Sequence, residues 1–409
     1  MRIEALSDWT PQQKKVVTAA FLGWTLDAFD YFLVVFVLKD IAHDFGTGVP
    51  AVSFALFLTL AMRPLGAFIF GRAADRYGRR PILMLDVVLY SALEFASGFA
   101  PDLTVLLVLR ALYGIAMGGE WGVGASLTME SIPPRARGIV SGILQAGYPT
   151  GYLLASVLYG TLFPIIGWRG MFMVGMLPAL LVLYIRRHVP ESPHWHRQSA
   201  ARGGTLTVLR RHWKVGLYAV ALMTLFNFFS HGTQDLYPTF LEKQHGLEHR
   251  TVGTIAVIYN VGAILGGILF GSLSERIGRK RAIVLAALLS LPVAPFWASA
   301  ATPISLAVTA FLMQVAVQGA WGVVPAHLNE LSPSEARATF PGFVYQLGNL
   351  LAAINAPMQS GIAEHLGNNY GLVMGVVAAV VAILIATLTW FGMEAKGISF
   401  ERASEGVHP

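Results

Sequence analysis

Gly71-Arg72-Ala73-Ala74-Asp75-Arg76-Tyr77-Gly78-Arg79-Arg80 returns two hundred residues later as Gly271-Ser272-Leu273-Ser274-Glu275-Arg276-Ile277-Gly278-Arg279-Lys280. Gly71, Arg76, Gly78 and Arg79 are kept, while Asp75 and Arg80 become the like-charged Glu275 and Lys280. The same register continues without a gap. Gly119, Trp121, Gly122, Val123, Glu130, Pro133, Ala136 and Arg137 fall on Gly319, Trp321, Gly322, Val323, Glu330, Pro333, Ala336 and Arg337. Chance does not align so many positions in one register, so the chain reads as a duplication.

The surroundings of the two loops are apolar. Of the 409 residues 55% are hydrophobic and only 13% charged, against roughly 25% charged in an ordinary soluble protein. Mean hydropathy is +0.59. A soluble globular protein and a disordered chain are excluded, and Gly shows no three-residue period, which excludes collagen. A transmembrane barrel is disfavoured because the apolar segments are continuous runs of roughly 20 residues instead of roughly 10-residue alternating strands. Twelve spans follow, near 16–38, 52–71, 81–100, 103–128, 138–163, 168–187, 214–236, 252–271, 281–299, 304–327, 338–363 and 371–393. Six spans per copy give both copies the same topology, and parallel repeats of this kind pack about an axis along the membrane normal with a site between them. The expected domains are a bundle over 1–187, a charged cytoplasmic linker over 188–213 and a second bundle over 214–409.

Lys and Arg set the orientation. Of 29, 23 lie on the side of the N-terminus, in the leader, in alternate loops and in the tail. Lys39, Arg169, Lys243 and Arg250 lie opposite, while Arg63 and Arg110 fall inside spans. The positive-inside bias then places both termini in the cytoplasm, in the inner (plasma) membrane. The polar leader and the acid-bearing run after it read as an uncleaved first span. The net charge of +6 is therefore topological and does not point to nucleic acid. There is no Cys, hence no disulfide or thiolate metal site. No nucleotide loop follows a strand, and neither clustered metal ligands nor a nucleophile–base set is recognisable. No catalytic residue, metal or cofactor is expected, and the protein reads as no enzyme.

The Gly71–Arg80 loop resembles the signature loop of the major facilitator superfamily of secondary transporters, and the copy at Gly271–Lys280 strengthens the resemblance, which covers the whole chain. It implies an all-α membrane fold of twelve helices in two pseudo-symmetric six-helix bundles and a functional monomer. Gating roles fall on Gly71, Asp75, Arg76, Gly78, Arg79, Glu130, Glu275, Arg276, Arg279 and Glu330. A Gly at the helix end permits close packing. Asp75 can meet the positive N-terminus of a helix in the other half, and Arg76 and Arg79 can pair with acids such as Glu130. Such a lock closes the cytoplasmic side and breaks when the site opens inward.

Charges inside spans are costly enough to be functional candidates. They are Asp27, Asp30, Arg63, Asp86, Glu94, Arg110, Glu120, His231 and Asp235. Counting along the helices sets Asp27, Arg63 and Asn227 near the midplane. Asp30, Glu94, Arg110 and His231 lie nearer the external side, Asp86 and Glu120 nearer the cytoplasm. Arg63 can grip a carboxylate through two parallel hydrogen bonds, or it can be a structural partner of Asp27 or Asp30. Arg110, in Arg-Ala-Leu-Tyr-Gly, resembles the fourth-span Arg of proton-driven members, which tunes a nearby acid; structural pairing is the alternative. Gln145 and Tyr148, with Tyr345, Gln346, Asn349, Asn355 and Gln359, either line a cavity or bridge helices.

The seventh span carries Asn227-Phe-Phe-Ser230-His231-Gly-Thr233-Gln234-Asp235-Leu-Tyr-Pro-Thr239. Asn227, His231 and Gln234 or Asp235 share a helix face at spacings of three and four. The pattern resembles the signature of the sialate:proton symporter family, which includes the yeast-type lactate and pyruvate permeases. Trp24-Thr-Leu-Asp27-Ala-Phe-Asp30 is similar to that family's first span. The resemblance implies carboxylate recognition and proton coupling. Arg63 then holds the carboxylate, with Asn227, His231, Gln234, Gln145, Tyr148, Tyr345 and Gln346 around the substrate. Asp27, Asp30, His231, Asp235, Arg110 and Glu94 bear on the proton. The expected activity is proton-coupled symport of a small monocarboxylate such as lactate or pyruvate, with sialate, a ligand sensor and a drug exporter as rival readings. The partners are that anion, protons and the bilayer.

Overall fold

A computed structural model describes residues 9–47, 49–191, 210–237, 240–333, 336–337 and 339–396. Among them there is helix and no strand. A bilayer offers backbone groups no water, so each N–H and C=O must be paired within its own segment. The first half runs α1 Pro11–Asp44, α2 Val49–Tyr77, α3 Arg79–Ser97, α4 Leu103–Gly118, α5 Glu120–Ser131, α6 Arg137–Gln145, α7 Gly147–Val174 and α8 Ala179–His188. The second runs α9 Trp213–Gln234, α10 His249–Ile277, α11 Arg279–Ser299, α12 Pro303–Trp321, α13 Val324–Leu331, α14 Thr339–Ala352, α15 Asn355–His365 and α16 Tyr370–Phe391. Most of the 188–213 stretch expected to join the halves lies outside the described residues.

Several spans are broken rods, which is why sixteen helices make twelve crossings. Eight segments are long and apolar enough to cross singly, α4 with α5 and α12 with α13 each counting as one. A ninth bends by 42° between Thr161–Val174 and Ala179–His188. The other three are α3, α6 with the start of α7, and α14 with α15. These carry Asp86, Glu94, Gln145, Gln346, Asn349 and Asn355, so polarity lowers their hydropathy in the elements that flank the centre.

Local chemistry starts the helices. Thr10 and Gln13 exchange the two hydrogen bonds of a capping box before Pro11, and Thr302 with Ser305 repeats the arrangement before Pro303. Within each half the second and fourth spans cross closely. A Cβ on Gly66, Gly114 or Gly118 would run into the backbone of the facing helix, and the same holds at Gly262, Gly266 and Gly322. The halves meet where α6 crosses α10 at Gly138, Gly142, Gly267 and Gly271, and where α14 packs on α2 and α5. Large apolar side chains such as Ile165, Leu180, Ile304, Leu269 and Phe391 are exposed around the outside, the surface that lipid covers.

Candidate functional site

Call the side carrying the two repeated loops the basic face and the other the far face. On the basic face the loop residues tie the halves together. Gly78 and Gly278 adopt φ of 114° and 98°, a region open to glycine, and each turn starts a helix, α3 or α11. Asp75 accepts hydrogen bonds from the Thr339 backbone N–H at 3.1 Å and hydroxyl at 2.6 Å, at the start of α14 in the other half. Its counterpart Glu275 accepts from the Gly138 N–H at the start of α6. Each loop acid thus caps a helix across the interface, where N–H groups lack intrahelical partners.

Arginines hold those acids in place. Arg79 pairs with Asp75 at 3.2 Å and Glu130 at 3.1 Å. Arg279 pairs with Glu275 at 3.0 Å and with both Glu330 oxygens at 2.9 and 3.0 Å. Arg137 reaches Glu330 across the halves at 3.7 Å. Arg76 departs from the expectation: it is exposed, its guanidinium over Tyr77, and pairs with no acid among the described residues. Arg276 uses its carbonyl, which accepts from Lys396. Gly71 is buried, and a Cβ on its counterpart Gly271 would meet Gly138 and Gly142.

Two further acids complete the loops. Glu191, three residues after α8, accepts from the N–H groups of Arg79 and Arg80 at 3.0 and 3.2 Å. Glu394, three residues after α16, does the same for Arg279 and Lys280 at 3.0 and 3.2 Å. Burial alone would raise the Glu394 carboxyl, but the N–H groups of Lys396, Arg279 and Lys280 hold it below its usual value. This pair escapes an ungapped comparison at 200 because its members stand 203 apart.

Deeper between the halves, aromatic side chains converge from both of them. Trp24 stacks on Tyr148 at 5.7 Å and 28°, and its ring lies 6.5 Å from Trp121. Trp121 and its repeat partner Trp321 both meet Tyr345, at 4.7 and 5.6 Å. The indole N–H groups of Trp24 and Trp121 are buried without an acceptor among the described residues, as is Arg63 Nε. Three unpaired donors around one aromatic box suit an anion. The amide oxygens of Gln145 and Gln346 are likewise buried and unpaired.

The two intramembrane arginines have different surroundings. Arg110 Nη2 lies 2.7 Å from Glu94 and donates at 2.7 Å to Ser97, and its guanidinium covers Tyr113 at 4.2 Å. Arg63 is loosely held, 3.9 Å from Asp27, over the Tyr31 ring at 5.4 Å and against the Met117 sulfur. Asp30 is fully buried, and neither oxygen has a hydrogen-bond partner among the described residues.

The α9 stripe divides its polar groups. His231 Nδ1 lies 3.1 Å from both Asp235 oxygens. Both keep solvent access, His231 at 22% and Asp235 at 41% of the side chain. Asn227 donates to the Met223 carbonyl of its own helix at 2.9 Å. Gln234 turns from the shared face: its amide donates to Gln314 at 2.8 Å, and Gln314 donates to Thr233. Gln318 reaches Ser230, while Asn355 and Gln359 donate to the carbonyls of Phe228 and Gly232. Tyr31, the Trp residues, Gln314 and Gln318 were not singled out from sequence as site residues. Trp121 and Trp321 carried a signal, since they match across the repeat. Among the described residues no three side chains converge as metal ligands.

A family model described as Major Facilitator Superfamily matches residues 20–248 and 217–408. The chain is similar to the sialic acid transporter NanX of Escherichia coli, 29% identical over 88% of this chain and 89% of that one. It is also similar to the carboxylic acid transporter protein homolog of Saccharomyces cerevisiae, 27% identical over 88% of this chain and 63% of the relative. The solved structure of the proton:xylose symporter XylE with 6-bromo-6-deoxy-D-glucose superposes with a TM-score of 0.79 at 19% identity, over 96% of this chain and 98% of that chain. That likeness concerns the fold.

Proposed function

The chain belongs to the major facilitator superfamily, and from that premise we propose that it is a proton-coupled symporter of a small organic anion, a monocarboxylate such as lactate or pyruvate. The bundles of 1–187 and 214–409 rock about the central site, with 188–213 as cytoplasmic linker and both termini in the cytoplasm. The observation that carries the reading is Arg63: buried, central, and paired with Asp27 only at 3.9 Å. A permanently charged fork held so loosely has donors to give, and a carboxylate accepts two of them in parallel. Trp24, Trp121, Tyr148 and Tyr345 supply apolar faces for a compact body, with Gln145 and Gln346 at its edge. Asn227, His231 and Gln234 belong to the opposite wall, Gln234 through its bond to Gln314.

Proton coupling rests on the acids beside Arg63. A monocarboxylate and one proton together carry no charge, so the membrane potential neither drives nor opposes their transfer. Asp27 and Asp30 on one side, and the solvent-accessible His231–Asp235 pair on the other, are the carriers, with Glu94–Arg110 setting the field at Asp30. The Asp75–Thr339 and Glu275–Gly138 contacts close the cytoplasmic face and part when the site opens inward.

Sialate is the second reading. The NanX relationship spans nearly both chains, and the amides of the second half suit a hydroxyl-rich substrate. The aromatic box favours the smaller, less hydroxylated acid. Uptake of radiolabelled lactate and sialate into proteoliposomes under an inward proton gradient tests both. Gradient-driven lactate accumulation, lost in Arg63→Ala at unchanged protein level, is the expected result. Accumulation of neither acid, or wild-type uptake by Arg63→Ala, overturns the assignment.

A further inference from the structure

Two fully buried acids take no part in the site described so far. Glu120 stands at the break between α4 and α5, 1% exposed, and Asp86 lies on α3 with no exposed surface. Glu120 Oε2 and both Asp86 oxygens have no hydrogen-bond partner among the described residues. The structural acids of this protein look different: Glu130 and Glu330 are each paired with a buried arginine. A buried carboxyl with free oxygens calls for another explanation, because unsatisfied burial is costly.

Their positions supply it. The Glu120 carboxyl lies against Gly23, where a Cβ would collide with it, and Gly23 is one turn below Asp27 on α1. Asp86 Oδ2 lies against Gly119, 2.6 Å from where a Cβ would sit, at the residue before Glu120. Tyr90, one turn along α3 from Asp86, has a buried hydroxyl without a partner and stands within electrostatic reach of Asp27, Asp30, Asp86 and Glu120. At 1.5 Å per residue from the basic ends of their helices, Asp27, Glu120 and Asp86 stand at heights of about 24, 16 and 10 Å. The acids descend from the site toward the basic face, and the missing Cβ of Gly23 and of Gly119 lets the Glu120 and Asp86 carboxyls lie against the neighbouring helices. The cation facing this row is Arg63, beside Asp27 at its upper end.

We propose that Glu120 and Asp86 are the exit route of the coupling proton, taking it from Asp27 and delivering it to the basic face. A carboxyl accepts through one oxygen and donates from the other after protonation. The proton leaves Asp27, which returns to a carboxylate beside Arg63. Glu120 takes it, passes it to Asp86 with the Tyr90 hydroxyl alongside, and Asp86 releases it to water as the basic face opens; every group ends as it began. The route rests on the symport reading.

The test separates proton release from substrate handling in proteoliposomes. Exchange of labelled for unlabelled lactate at equal pH needs no net proton release, whereas uptake driven by an inward proton gradient does. Glu120→Gln and Asp86→Asn are expected to keep exchange at wild-type rate and to lower gradient-driven uptake by about 100-fold. Asp86→Glu, which keeps a titratable group, restores most of it. If wild-type protein concentrates lactate and both amide variants match it, the route is overturned while symport stands. If the amide variants lose exchange as well, the carboxyls serve the fold or the site and the route is overturned. Wild-type protein without gradient-driven uptake overturns symport and the route together.

Discussion

Arg63 and Arg110 show how pairing decides what a buried charge can do. Both are nearly inaccessible, yet Arg110 is held by Glu94 and Ser97 at 2.7 Å, whereas Arg63 has Asp27 only at 3.9 Å. Removing the cation that faces a buried carboxylate costs about 2 kcal/mol or more, at least about 30-fold in kcat/KM. Arg63→Ala is therefore expected to lose at least that much in initial-rate lactate uptake. Arg63→Lys keeps the charge without the fork and falls between, mainly through KM. These charges were legible in the sequence because each interrupts an apolar run. Asp27 or Asp30 was legible as a partner of Arg63, whereas the pairing of Arg110 with Glu94 across two spans was not. Gln234 was misleading for a related reason: a helical wheel sets it beside His231, but a long amide bends to whichever neighbour offers an acceptor, here Gln314.

At the scale of elements, the hydropathy pattern located the spans but not their breaks at Gly119, Ala146, Val323 and Ala353, because a kink inside an apolar run leaves the composition unchanged. Glu120 and Gln145 stand directly beside two of these breaks. The α6–α10 crossing depends on having no side chains at Gly142 and Gly267, where a Cβ on Gly142 meets the Gly267 backbone. Gly142→Val should wedge the halves apart on the basic face. The chain has no cysteine, so Ala326→Cys, buried at this interface beside Ser141, gives a clean readout: a membrane-impermeant maleimide labels it slowly alone and faster with Gly142→Val. The Glu394 cap carries a pH dependence. Its carboxyl is held below its ordinary value of 4.5, so its stabilisation is complete above that pH and is lost as pH falls through the lower folded-state value. Glu394→Gln should lower Tm at pH 7 and flatten the fall in Tm as pH drops below the ordinary carboxyl value of 4.5.

For the whole molecule, the repeat was the legible part. A duplication with six spans per copy places two like halves about one axis, and Trp121 and Trp321 meeting Tyr345 is that symmetry at the site. On the basic face a contact from Asp75 to a helix N-terminus of the other half was legible; its partner Thr339 and the matching contact of Glu275 with Gly138 were not, because each joins distant parts of the chain. Glu191 and Glu394, three residues out of the register of 200, also escaped. In the proposed function anion and proton cross together as a neutral pair. The direct measurement is proton entry on lactate addition, read by a dye inside proteoliposomes, with the potential clamped by potassium and valinomycin at zero and at about 100 mV inside-negative and protein-free vesicles as the baseline. Lactate-dependent proton entry at the same rate and extent at both potentials is the expected result. Absence of proton movement contradicts it, as does a shift in accumulation approaching about 50-fold, the value of one uncompensated charge at about 2.3 kcal/mol per 100 mV.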